Sequence, residues 1–102
     1  MLFVGLDVGT QGVRAIACDE NGAILSEASR QLTHDPKSAL PPGWAEQDAE
    51  VWWRHIVSCL QQTAETLLSK DCRLEDIGAI GVTSTSGTVV ALDGAHSPLH
   101  PA

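Results

Sequence analysis

A chain of 102 residues with 43% hydrophobic content has room for one globular domain with a real core and is too short for two. Thirteen acids against six bases give a net charge of −7, which opposes non-specific binding to nucleic acid or to an anionic membrane. No apolar run approaches the length of a membrane span. The start, "MLFVGLDVG", lacks a basic region and a cleavage site, so a cytoplasmic protein with a small-molecule ligand is expected. Cys18, Cys59 and Cys72 are widely spaced and have no histidine at zinc-ligand spacing. They are expected as reduced packing residues.

Residues 2–8, "LFVGLDV", are nearly all apolar and predict a buried strand, interrupted by Asp7. After the turn Gly9-Thr10-Gln11-Gly12, "VRAIACD" (13–19) predicts a second strand. Asn21-Gly22 is a hairpin signal, because both central positions of a type I′ turn need positive φ. A third strand, "AILSEASRQL" (23–32), should lie antiparallel to the second.

Residues 33–47 hold Pro36, Pro41, Pro42 and Gly43 and predict a long loop, since neither a helix nor a central strand tolerates them. From Asp48, an N-cap residue, a helix is predicted to about Lys70. Trp52, Ile56, Cys59, Leu60, Thr63 and Leu67 fall on one face at helical spacing. "IGAIGVTS" (77–84) is a continuous apolar run, as in a strand covered on both faces. Placed after a helix, it should return parallel to the first strand. "TVVALDGAHSPL" (88–99) predicts one more strand and a turn at Asp93-Gly94.

Three stretches carry candidate chemistry. A carboxylate at the end of a first strand can hold a hydrated Mg²⁺, and the turn after it can aim backbone N–H groups and a hydroxyl at phosphate oxygens, with Arg14 just beyond. A hairpin whose glycines serve turn geometry and whose Asp7 caps the turn explains the same residues. What speaks against the hairpin alone is that an uncompensated charge in an apolar strand is costly. "PPGWAEQDAEVWW" (41–53) reads as a loop and helix start, with Glu46 and Asp48 as capping acids, and leaves Trp44 unexplained. "TSTSGT" (83–88) is either a polar turn bonded to its own backbone or a polyol site at the end of a strand. No histidine is assigned a role.

Together "GLDVGTQGVRA", "PGWAEQDAEVWW" and "IGAIGVTSTSGTVVALD" resemble, in order and spacing, the amino-terminal end of the FGGY family of carbohydrate kinases. The resemblance implies a ribonuclease H-like, actin-like ATPase fold of the α/β class: a mixed sheet of five strands, the first three antiparallel, with a helix crossover to a parallel strand. It implies that residues 1–102 are the first part of the amino-terminal kinase domain, an incomplete domain, with the carboxy-terminal domain absent and the general-base aspartate lying beyond this sequence. The whole enzyme would bind ATP and sugar in the cleft between two domains.

Carried over, Asp7 is the metal ligand for Mg²⁺, and Gly9, Thr10, Gln11, Gly12 and Arg14 face the ATP phosphates. Thr85, Ser86 and Gly87 line the sugar site. Glycerol kinases carry an Arg-Glu pair where this chain has Ser86 and Gly87, and many xylulose kinases carry Met-His where it has Thr85 and Ser86; neither pattern is kept, and the small neutral turn resembles the divergent xylulose-kinase-like and ribulose-kinase-like branch. The expected activity is ATP-dependent phosphorylation of a ketopentose by the full-length protein, in the cytoplasm, with a homodimer among the expected assemblies. The competing readings are a ribonuclease H-like nuclease and an actin-like nucleotide-binding module without kinase activity.

Overall fold

A computed structural model describes residues 1–33 and 40–102. The elements follow as β1 (Leu2–Val8), β2 (Gly12–Asp19), β3 (Ile24–Gln31), α1 (Ala49–Ser69), a short 3₁₀ turn (Leu74–Asp76) and β4 (Ile77–Ser84). His34 and Pro36 lie outside the described residues.

The four strands form one sheet in the order β3-β2-β1-β4. The β1–β2 and β2–β3 pairs are antiparallel, and β4 runs parallel to β1, as the helix crossover requires. Alternation along the strands sends Leu2, Val4 and Leu6 of β1, Val13, Ala15 and Ala17 of β2, and Ala28 of β3 to one face, where α1 covers them. The small alanines let the helix lie close, and Cys59, Thr63 and Leu67 fill the seam as the helical spacing predicts. All three cysteines are free, with Cys59 fully buried. Burial pushes the Cys59 thiol up, partly offset by the Arg30 cation.

The ends of α1 obey local chemistry. The Asp48 carboxylate accepts from the Glu50 N–H at 2.9 Å, which satisfies one of the free donors of the first turn. At the far end the Cys72 N–H reaches the Leu67 carbonyl and the Asp71 N–H reaches the Leu68 carbonyl, a Schellman closure. Asp71 takes the left-handed position, φ 58°, usually held by glycine. Among the described residues no helix is long and apolar enough to cross a membrane.

Three expectations change. The β2–β3 loop is not a type I′ turn, because of Asn21 and Gly22 only Gly22 takes positive φ, 82°. The Asp19 carboxylate accepts from the N–H groups of Asn21 and Ala23, and this side-chain bonding closes a longer loop. Residues 88–99 add no strand to the sheet. Asp93 accepts from Ala95 and Ser97, and the Leu99 N–H returns to the Ala91 carbonyl, so the segment satisfies its backbone within itself, with a lone bridge between Leu92 and Pro98. The sheet described is thus four-stranded rather than five-stranded. Finally, among the described residues β4 is open on both faces beyond Ile77: α1 packs mainly on β2 and β3 and less on β1, leaving Ile80 and Val82 of the edge strand exposed.

Candidate functional site

The carboxyl ends of the parallel pair lie side by side, with Val8 beside Ser84, and the chain leaving both strands builds the site. In open α/β sheets that end is where ligands gather. The Thr85 N–H donates to the Val8 carbonyl at 3.2 Å and fastens the second exit to the first.

Asp7 is not an interior charge. Strand alternation turns Phe3, Gly5 and Asp7 away from α1, onto the face that no helix covers, so Asp7 keeps contact with water. In register it faces Arg14 of β2 on one side and Thr83 of β4 on the other. Asp7 and Arg14 are thus a cross-strand pair of opposite charge, although among the described residues they form no ion pair. Asp7, Arg14, Glu27, Ser29 and Thr83 line an open trough of about 760 Å³ along this face.

The turn from β1 to β2 is closed by the Gly9 N–H donating to the Gly12 carbonyl at 2.9 Å. Neither glycine has positive φ. Gly12 is needed for a different reason, since a Cβ there would stand 2.7 Å from the Arg30 carbonyl oxygen of β3. At Gly9 a Cβ would meet only ordinary contact, at 3.5 Å. The Gln11 carbonyl takes the Leu32 N–H at 2.9 Å, and the Thr10 carbonyl takes the side-chain amide of Gln47 at 2.7 Å. The N–H groups of Thr10 and Gln11 have no acceptor among the described residues. The turn follows directly on the end of β1, the strand that carries the Asp7 carboxylate.

The loop before α1 supplies the third wall. Gly43, at φ 84°, allows the Trp44 N–H to close a turn on the Pro41 carbonyl. Trp44, 67% exposed, borders a trough shared with Pro41 and Trp52. Glu46 does not cap the helix: its carboxylate stands 4.0 Å from the His100 imidazole instead. Gly9 and Thr10, Gln47 and Trp52, and Ser84, Thr85 and Thr88 converge on one cavity of about 220 Å³. All three sequence motifs therefore meet there. Asp7 and Arg14 lie outside it on the open face, and Ser86 and Gly87 are exposed at the following bend, where Gly87 has φ 79°. Among the described residues no group of three histidine, cysteine or carboxylate side chains could cage a metal.

The sequence profile of the FGGY family of carbohydrate kinases, N-terminal domain, matches residues 2–102. The chain belongs to this family. As an FGGY chain it is 31% identical over 101 residues to the xylulose kinase of Escherichia coli K12, covering 99% of this chain and 19% of that protein. It is 35% identical over 92 residues to the glycerol kinase of Bacillus cereus, covering 89% of this chain and 17% of that one. The crystal structure of xylulose kinase from Rhodospirillum rubrum superposes with a TM-score of 0.85 at 33% identity, over 99% of this chain and 20% of that chain. That of Plasmodium falciparum glycerol kinase with ADP gives 0.78 at 26%, over 98% and 19%. The FGGY chain thus spans about one fifth of the length of these relatives and shares the actin-like ATPase fold of sugar kinases.

Sequence reasoning missed Gln47 as a cavity residue and treated Trp52 as core, while Thr88 falls within the "TSTSGT" stretch offered as a polyol site. Gln47 stands in the "GWAEQD" stretch, between the acids Glu46 and Asp48.

Proposed function

We propose that this chain provides the phosphate turn and part of the acceptor site of an ATP-dependent sugar kinase whose acceptor is a ketopentose, xylulose or ribulose. The observation that carries the reading is the convergence of the phosphate-type turn, the "GWAEQD" loop and the hydroxyl-rich strand exit on one cavity. Phosphoryl transfer needs mainly positioning and charge neutralisation. The N–H groups of Thr10 and Gln11, which meet no acceptor among the described residues, and the ordinary contact distance around Gly9 fit a phosphate lying against the turn.

A single carboxylate suits a Mg²⁺ ion that keeps most of its water, and Asp7 would hold it, as Arg14 beside it would face the transferred group. When bound, MgATP supplies the phosphoryl group. The chain's own residues orient it and balance its charge. Among the described residues no carboxylate or imidazole lines the small cavity, and the base that takes the proton from the sugar hydroxyl would come from elsewhere in the whole kinase. Residues 1–102 accordingly form the first part of its amino-terminal domain and complete no catalytic site by themselves.

Identity to xylulose and glycerol kinases is similar, so the choice of sugar rests on the strand exit. Ser84, Thr85, Ser86 and Thr88 offer neutral hydroxyls and no charged partner. A cytoplasmic location accords with the need for ATP, and sizing the purified protein tests the homodimer. The reading is tested by an ADP-release assay on the full-length protein with xylulose, ribulose and glycerol as acceptors. Turnover of ~1–100 per second with a ketopentose is expected. Preference for glycerol overturns the sugar, and ATP consumption with no polyol or sugar overturns the reaction.

A further inference from the structure

Gln47 joins segments that the sequence keeps far apart. Its backbone N–H and carbonyl pair with those of Ala102 at 3.0 and 2.8 Å. Its side chain reaches across the site: Nε2 donates to the Thr10 carbonyl at 2.7 Å, and Oε1 accepts from Trp52 Nε1 at 3.0 Å. The indole N–H is a donor only, so it fixes which end of the amide faces the helix, and the amino end is left for the Thr10 carbonyl.

The Thr10–Gln11 peptide is trans. In a trans unit the carbonyl and the following N–H point in opposite directions. Anchoring the Thr10 carbonyl toward the loop therefore aims the Gln11 N–H away from it, and the Gln11 carbonyl is held in turn by Leu32. We infer that Gln47 is a positioning residue for the nucleotide phosphates: oriented by Trp52, its amide sets the Thr10–Gln11 peptide plane and so aims the Gln11 N–H that meets a phosphate oxygen. The inference rests on the sugar-kinase reading above.

The test uses Gln47→Met in the full-length protein, which keeps the length of the side chain and removes both polar ends. In the ligand-free protein the ¹⁵N order parameter of Gln11 is expected to fall from about 0.85 to below about 0.6. By calorimetry, MgADP should bind about three- to tenfold more weakly, and the KM for ATP should rise by a similar factor. The KM for the ketopentose should stay within about twofold of wild type. Gln47→Glu can accept from Trp52 but cannot donate to Thr10, and should behave like Gln47→Met. In the double variant with Trp52→Phe, the ATP effect should not exceed that of Gln47→Met alone, because both act through one amide.

An unchanged Gln11 order parameter, a shift in the sugar KM instead of the ATP KM, an equal rise in both, or full rescue by Gln47→Glu overturns the role. If the wild type phosphorylates no sugar, the kinase reading fails, while the order parameter and MgADP binding still decide the role of Gln47.

Discussion

Asp7, Gly9 and Gly12 stand within six positions and answer to different forces. Asp7→Ala in the whole kinase should lower kcat about a hundredfold or more while the sugar KM changes little, since the proposed carboxylate acts on the metal and the transferring group. Steady-state kinetics with both substrates varied checks this, and a raised sugar KM with kcat intact contradicts it. The two glycines separate folding from binding. Gly12→Ala forces a Cβ to 2.7 Å from a backbone oxygen of β3 and should destabilise by about 1–3 kcal/mol. Gly9→Ala meets no such wall, so denaturation should register about 0.5 kcal/mol or less, while MgADP binding weakens because the backbone no longer admits the phosphate. Asp7 drew a candidate role from its place in an apolar strand, although the structure sets it on the open face where its charge meets water. The reach of Gln47 was not legible, although the residue stands in the "GWAEQD" stretch, because its partner Thr10 lies 37 residues away and only the folded loop brings them together.

At the scale of elements, α1 was legible almost to the residue, since its N-cap, its apolar stripe and the polar stretch after it are all local signals. Its end at about Lys70 was legible too, but not the way it closes, because an aspartate rather than a glycine takes the left-handed position. Asp71→Gly should therefore raise stability by about 0.5–1 kcal/mol, the relief of the Cβ penalty less the added freedom of the unfolded chain, read as a shift in the urea midpoint. The buried thiol in the middle of the helix adds a pH dependence. The folded state holds Cys59 protonated above its ordinary value of 9.0, so the unfolded chain releases that proton first. Stability should then fall as pH rises through that ordinary value toward the raised one, and the same scan on Cys59→Ala should lose that slope. The strand expected at 88–99 failed for a reason that composition hides: the apolar run Val89-Val90-Ala91-Leu92 reads as a strand, yet the Asp93 side chain and the Pro98 ring turn the segment back on itself.

In the molecule as a whole, β1 sits centrally, antiparallel to one neighbour and parallel to the other, which sets the exits of β1 and β4 side by side and leaves one face of the sheet bare. The order of strands was legible from the hairpins and the crossover. Coverage was not, because an apolar run states that a strand is to be buried and not by what. This geometry divides the hydroxyl-rich exit in a way the sequence could not: Thr85 faces the cavity, whereas Ser86 stands at the bend just before Gly87. A neutral hydrogen bond contributes about 0.5–1.5 kcal/mol net, so Thr85→Val, which keeps the shape and removes the hydroxyl, should raise the ketopentose KM by about two- to tenfold without abolishing turnover. Ser86→His adds volume and a new donor at the rim, and should alter the ratio of kcat/KM between ribulose and xylulose, because such a ratio reports differential contacts rather than folding. If the turn serves only its own backbone, both variants change the melting temperature and leave that ratio and the sugar KM alone. With folding confirmed by circular dichroism, an unchanged ratio removes Ser86 from the sugar site, and an unchanged KM in Thr85→Val removes the hydroxyl that the cavity presents.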